Sequence, residues 1–221
     1  MKALAFSSGK DSMACLHLLR STLDCAIYVD AGFSYPETAA LVEYARTIIP
    51  VHVVVSDRKA QNELEGLPAD VVPIDWTRLG HTVTGPKPVL IQSYLGCCYE
   101  SISKPLLDYA IRIGVKELVY GQRDDEGHKS PARNGTVVSG ILRRHPIESW
   151  SASDVLAYLA TKMKVPAHYS INHSSLDCYD CTAYRKASKD RVDWMKFEHP
   201  DLFQRYLARS ERLDAALLEA L

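Results

Sequence analysis

The chain has 221 residues, 26 Lys and Arg against 27 Asp and Glu for a net charge of −1, and 47% hydrophobic residues. That balance excludes a disordered or collagen-like chain and a polybasic nucleic-acid arm, and the length predicts one catalytic domain with a small appendage, burying roughly 70% of its unfolded surface. Apolar stretches such as residues 51–55, interrupted by His52, fall far short of the ~18 residues that cross a bilayer, and only residues 3–6 are apolar ahead of Ser7, where a secretory leader needs roughly 7–15. The expectation is a cytoplasmic protein with no membrane partner.

In chain order, residues 2–6 form a short apolar run ending in a Ser/Gly loop, and Met13, Leu16 and Leu19 follow at helical spacing. The unit recurs. Residues 25–29 read as a buried strand, residues 30–34 as a loop, and Pro36 opens a helix to about Thr47. The β-branched run 51–55 predicts a third strand. A fourth unit has a helix over about 101–113, Gly114 as its stop, and a strand at 118–120. Strands alternating with helices at this spacing predict parallel pairing in a doubly wound α/β sheet. Residues 56–88 hold four prolines and three glycines, too long a segment for an ordinary connection. They read as an excursion covering the substrate, a mobile loop, or a plain surface insertion. Ser151, with Asp154 three residues on, makes a capping-box-like start for a helix to about Lys162. From Arg185 the chain turns helical and charged, and Phe203, Leu207, Leu213, Leu217 and Leu218 give the last segment an apolar face. The predicted division is 1–184 for a nucleotide-binding domain and 185–221 for a helical extension, with packing on the domain or on a second copy as the use of that face.

Ser7, Ser8, Gly9, Lys10, Asp11 and Ser12 lie where the first strand gives way to the first helix. Backbone N–H groups and the helix dipole there favour an anion, and phosphate is the natural occupant. Gly9 lets the backbone approach, the serines add hydroxyls and Lys10 adds charge, although a loop of these residues also serves simply to cap a helix. The longer Walker loop is absent.

These residues resemble the SGGxDS loop of the PP-loop adenine-nucleotide α-hydrolase proteins, with Ser8 in place of the second glycine. The stretch from Tyr28 through Asp30, Gly32 and Pro36 to Thr38 is similar to the VDTGxxFPET segment of the phosphoadenosine phosphosulfate (PAPS) reductase branch. Further resemblances are Gly96-Cys97-Cys98 with Lys104-Pro105-Leu106 to CCxxxKxxPL, Gly121-Gln122-Arg123-Asp124-Asp125 to GQRRDQ, and His145-Pro146-Ile147 through Trp150 and Asp154 to NPLxxWxxxDVxxY. The likeness runs over about residues 2–182. It implies an adenine nucleotide across the strand ends, held by Ser7 to Ser12, Asp30, Gly32, Gly121, Gln122, Arg123 and Arg143. Lys10, Asp11, Arg123 and Lys104 are the expected catalytic set.

Cys97-Cys98 and Cys178-Tyr179-Asp180-Cys181 supply four thiols in two pairs. Adjacent cysteines are poorly disposed to bond to each other, and a CxxC pair readily chelates one metal. In the adenylyl-sulfate (APS) reducing members the same arrangement holds a 4Fe-4S cluster, which the resemblance implies for Cys97, Cys98, Cys178 and Cys181. Structural zinc, or a redox CxxC beside inert thiols, are the alternatives. Lys104 follows six residues after Cys98, near enough to couple cluster and substrate, while Cys15 and Cys25 read as core residues. His168 and His173 flank the approach to Cys178 and read as substitute ligands or, more commonly, as hydrogen-bonded or surface histidines. The basic run Arg185, Lys186, Lys189 and Arg191 reads as a phosphate or nucleic-acid contact or as a solvated helix face.

One departure divides the functional readings. Reductases of this family attack the substrate's sulfur with a cysteine in a C-terminal ECGxH tail, and here the 40 residues after Cys181 contain no cysteine. The first expectation is therefore cleavage of ATP, with Mg²⁺, at the α-phosphate to activate an acceptor in sulfur transfer from a sulfur-donor protein. Reduction of APS or PAPS by an external thiol such as a thioredoxin is the alternative. A non-catalytic nucleotide- and cluster-binding subunit is the third reading.

Overall fold

The structure is a computed structural model that describes residues 1–127, 133–171, 175–176, 178–185 and 187–221. Contacts divide the chain into two compact units, one of residues 1–30, 36–54 and 105–169, the other of residues 31–35, 55–104 and 170–221.

The first unit carries a six-stranded sheet. Its strands are β1 (Lys2–Ala5), β2 (Cys25–Asp30), β3 (Val51–Val55, of which the last residue falls outside this unit), β6 (Glu117–Val119), β7 (Val137–Val138) and β8 (Ile141–Arg144), in the order β3-β2-β1-β6-β8-β7. β1 pairs in parallel with β2 and with β6, and β6 pairs in parallel with β8. The edge strand β7 runs antiparallel to β8. Ser139 and Gly140 join that pair, both with positive φ (52° and 76°), which is what a two-residue turn matched to the strand twist requires. The sheet is flanked by α1 (Lys10–Leu19), α2 (Pro36–Arg46) and α7 (Ala152–Ala160). Their apolar faces close one core: Leu4 and Phe6, Met13 and Leu16, Tyr28, Val42 and Ala45, Val119, Val155 and Leu159. Helix α7 starts on the box anticipated from the sequence, Ser151 Oγ accepting from Asp154 N at 3.1 Å and Asp154 Oδ2 from Ser151 N at 2.8 Å. The arrangement is an α/β fold of the adenine-nucleotide α-hydrolase type, a mostly parallel sheet with flanking helices and a helical C-terminal extension.

The second unit is built differently from an irregular insertion. Residues 56–88 contain α3 (Arg58–Glu65), the short strand β4 (Leu67–Ala69), a 3-10 turn at Ile74–Trp76 and α4 (Arg78–Thr84), and β4 pairs in parallel with β5 (Ile91–Ser93). After β5 come α5 (Tyr94–Cys98), a π-helical turn at Tyr99–Ser103 and α6 (Lys104–Arg112), which crosses into the first unit at Pro105. The C-terminal helices α8 (Lys189–Glu198) and α9 (Pro200–Glu219) complete it. Leu213 and Ala216 of α9 are buried with Leu67, Ala69, Trp76 and Ile91, so the amphipathic face read from the sequence packs on the excursion's own strands. Tyr35, Leu176, Tyr179, Trp194, Met195 and Tyr206 form a second cluster in this unit.

Candidate functional site

In the first unit the loop lies where β1 ends and α1 begins. Gly9 is the helix N-cap in extended backbone (φ −67°, ψ 157°). Ser8 takes φ 62°, a left-handed conformation that glycine adopts without strain. The loop is tied internally: Gly9 N donates to Ser7 Oγ at 3.3 Å, and Ser12 Oγ donates to Gly9 O at 2.9 Å while accepting from Ser7 N at 3.3 Å. Lys10 N donates to the Tyr169 hydroxyl at 2.6 Å, placing a phenol on the first N–H of the helix. Sequence reasoning missed Tyr169, and no spacing signals it.

Lys10 and Asp11 are both buried. The Lys10 ammonium lies 3.2 Å from Asp11 Oδ2, and Arg123 Nε donates to Asp11 Oδ1 at 2.7 Å. Arg123 also pairs with Asp125 and reaches Glu126 at 3.9 Å. Burial raises the Glu126 carboxyl pKa and Asp11 adds to the rise, against the opposing pull of Arg123 and Lys10. The predicted cations are therefore already facing carboxylates. Gly121 has a packing role, since a Cβ there would lie 2.6 Å from the Asp11 carbonyl carbon and 2.7 Å from Ser12 N. Gln122 is half-buried beside it, and Asp30 is half-buried at the end of β2.

Arg143 differs from Arg123. It is 6% exposed on β8, its guanidinium lies 4.8 Å from the Tyr120 ring centroid, and its Nε has no hydrogen-bond partner among the described residues. Burial lowers its pKa. His145, directly after β8, is buried with Nδ1 likewise without a hydrogen-bond partner among the described residues. β1, β6 and β8 run parallel, so the loop, Tyr120, Arg143 and His145 all belong to the carboxyl ends of strands, where open α/β sheets take their ligands. His168 is buried against Tyr169, ring centroids 4.1 Å apart. Cys15 is fully buried, its thiol pushed up to about 12 by burial and by Asp11, and Cys25 is buried too, as expected of core residues.

The second unit holds the four thiols of interest. Cys97 and Cys181 are buried, Cys98 and Cys178 half-buried, and no cysteine forms a disulfide among the described residues. Nor, among these residues, do three or more Cys, His, Asp or Glu gather as a metal-holding group. What surrounds the thiols is a buried charge network. Arg58, in the first turn of α3, donates from Nη1 to Asp180 Oδ1 at 2.5 Å, and Arg209 of α9 reaches Asp180 Oδ2 at 3.3 Å. Arg209 also donates to the Asn62 amide oxygen, and Asn62 Nδ2 donates to Cys97 Sγ at 3.3 Å. Desolvation lowers the Arg58 pKa, but Cys178, Asp180 and Cys97 outweigh it and the net shift is upward. For Arg209 desolvation prevails over Asp180, Cys97 and Cys181, helped by Arg58, and the shift is downward. Arg58 Nη2 and Arg209 Nε have no hydrogen-bond partner among the described residues. Arg58, Asn62 and Arg209 had no signal in the sequence, whereas Asp180 sits inside the CxxC.

Lys104 is exposed at the start of α6, and Gly32 is exposed with φ 79°. Of the basic run, Arg191 is buried and donates to Cys178 O at 2.8 Å, Arg185 bonds Asp214 and Ser210 Oγ, and Lys189 is exposed. Lys186 and His173 lie outside the described residues.

The family model for the phosphoadenosine phosphosulfate reductase domain matches residues 2–184. The chain belongs to that family. No curated protein matches this family member by sequence. Among solved structures it is similar to a phosphoadenylyl-sulfate (PAPS) reductase from Candida auris in a phosphate complex, at 18% identity over 73% of this chain and 72% of that one, TM-score 0.46. It is also similar to Candida glabrata FMN adenylyltransferase, at 11% identity over 77% of this chain but only 50% of that one, TM-score 0.45. A third is a predicted subunit of tRNA methyltransferase from Methanocaldococcus jannaschii, at 18% identity over 88% and 87%, TM-score 0.41. No helix among the described residues is long and apolar enough to cross a membrane.

Proposed function

We propose that this PAPS reductase-family chain reduces a sulfonucleotide, APS or PAPS, with the attacking thiol supplied from outside residues 1–221. The observation that carries the reading is the charge balance of the loop in a chain matched over residues 2–184 to this reductase family. Lys10 and Arg123 face Asp11, Asp125 and Glu126, so the surroundings of the loop oppose rather than welcome a highly charged triphosphate. This charge balance disfavours ATP cleavage and favours APS, which carries fewer charges than ATP or PAPS.

In this reading the first turn of α1 and the Tyr169 hydroxyl hold the α-phosphate, and Arg143 supplies a buried guanidinium with an Nε–H to donate. A thiolate attacks the sulfur; an S–S bond forms, the S–O bond to the phosphate breaks, and AMP, or its 3′-phosphorylated form from PAPS, leaves with the electron pair. A second thiolate then displaces sulfite from the thiosulfonate, leaving a disulfide. Two thiols are oxidised and one sulfonucleotide is reduced. Catalysis by this chain is then positioning and neutralisation of charge on the leaving phosphate.

We assign Cys97, Cys98, Cys178 and Cys181 to a metal-thiolate centre, a 4Fe-4S cluster before zinc. Four soft donors suit either, and the two buried guanidinium N–H groups without acceptors, Arg58 Nη2 and Arg209 Nε, suit an anionic occupant. A cluster held there would supply a fixed charge and a one-electron couple.

Calorimetric titration with APS, PAPS and ATP tests the substrate class. APS is expected to bind at least tenfold more tightly than ATP with or without Mg²⁺, and Arg143→Gln to lose about tenfold toward APS, as for a lost charge-assisted hydrogen bond. Tighter binding of Mg-ATP, untouched by Arg143→Gln, would restore the ATP reading.

A further inference from the structure

The Arg58, Asp180 and Arg209 network has no place in the chemistry above, yet two of its three members are deeply buried. Arg58 is 2% exposed and Asp180 3%. Ordinary structural ion pairs satisfy their donors, because an unsatisfied buried N–H costs the full desolvation of that group. Here one carboxylate serves two guanidiniums, and a donor on each arginine lacks an acceptor among the described residues. The surplus is one positive charge and two donor nitrogens. The thiols lie within electrostatic reach, Cys97 and Cys178 of Arg58, Cys97 and Cys181 of Arg209. Asn62, one helical turn after Arg58 on α3, closes the chain of contacts by bonding both Arg209 and Cys97 Sγ.

We infer that Arg58 and Arg209, clamped by Asp180, are positioning residues for the metal-thiolate centre, donating N–H groups to its sulfurs and compensating its negative charge. The inference rests on the assignment of the four cysteines made above. It gives the C-terminal helix a chemical role, since Arg209 lies in α9, beyond the residues matched to the family. It also gives a reason for an aspartate between the paired thiols, where a carboxylate alone would repel a thiolate centre: Asp180 holds the guanidiniums, and the net charge presented to the sulfurs stays positive. Groups of this kind raise the reduction potential of a cluster by stabilising its reduced, more negative form, and they slow the loss of metal.

The test uses the full chain, reconstituted anaerobically with ferrous iron and sulfide, in the wild type, Arg58→Lys, Arg58→Gln, Arg209→Gln and Cys97→Ser. Iron and sulfide content, the electron paramagnetic resonance signal against applied potential, and iron release to a chelator are read alongside far-ultraviolet circular dichroism. Arg209 is less buried than Arg58, which makes its glutamine variant the one least exposed to folding failure. The wild type is expected to take up iron and Cys97→Ser to lose it. Arg58→Gln and Arg209→Gln should take up iron but be reduced about tenfold less at a fixed potential, equivalent to about 59 mV for one electron, and release iron about tenfold faster. Arg58→Lys should fall between. Arginine variants that load iron and match the wild type in both readouts would overturn the inference while leaving the cluster assignment standing. A wild type that takes up no iron would overturn the cluster assignment and the inference with it.

Discussion

Ser8 and Gly121 make opposite demands on the same loop. Ser8 holds φ 62°, where a side chain costs about 1–2 kcal/mol and a glycine nothing steric. Ser8→Gly is expected to stabilise by up to about 1 kcal/mol, after the entropy cost of glycine, and Ser8→Val to destabilise by about 2 kcal/mol, read from urea midpoints. Identical midpoints for the two would contradict a left-handed residue 8. At Gly121 a methyl group would meet backbone at 2.6 Å, so Gly121→Ala should displace the first turn of α1 and weaken nucleotide binding at least tenfold, with a stability loss of about 1–3 kcal/mol. His145 adds a pH signature. Burial lowers its pKa, Arg143 lowers it further, and Glu148 and Asp124 oppose them. The folded chain then holds this proton less firmly than the unfolded one, so the contribution is complete above the ordinary value near 6.5 and fades as pH falls from there toward the lowered value. Stability measured from about pH 7 to 5 should fall more steeply in the wild type than in His145→Gln.

Elements were legible where one physical pattern dominated. The runs that became β1, β2 and β3 are short and mostly apolar, with β-branched residues in β2 and β3, and Pro36 and Ser151 mark helix starts by their own geometry. The strand β8 was not anticipated because Arg143 and Arg144 occupy it; the buried arginine at its end belongs to the candidate site, and function there overrides the pattern of a buried strand. Helix α3, RKAQNELE, has only Ala60 and Leu64 as apolar residues, Leu64 exposed, and is set instead by its Asp57 cap, which accepts from Ala60 N, and by the buried polar contacts of Arg58 and Asn62. The functional residues of each unit divide the same way: the loop and the four cysteines stand out as motifs, while Tyr169 in the first unit and Arg209 in the second are brought in by tertiary structure. For α9, whose apolar face was clear but whose partner was not, Leu213→Ala should cost about 2–5 kcal/mol, as for a buried core leucine. A loss near zero in thermal or urea unfolding would contradict its place in that core.

For the whole molecule, the family assignment over residues 2–184 and the loop chemistry agree on a nucleotide-binding domain, and the proposed choice between substrates turns on charge. In the proposed reading, a loop whose lysine and arginine are balanced by Asp11, Asp125 and Glu126 is matched better to APS than to the more highly charged triphosphate. In the proposed reduction the attacking thiol comes from outside residues 1–221, so sulfite release should require added thiol. The most direct measurement is product release by anaerobically purified protein given APS, PAPS or Mg-ATP, each with and without reduced thioredoxin. Sulfite from APS or PAPS that appears only with thioredoxin, with no pyrophosphate from ATP, is the predicted result. Pyrophosphate from ATP, with no sulfite under any condition, would contradict the account.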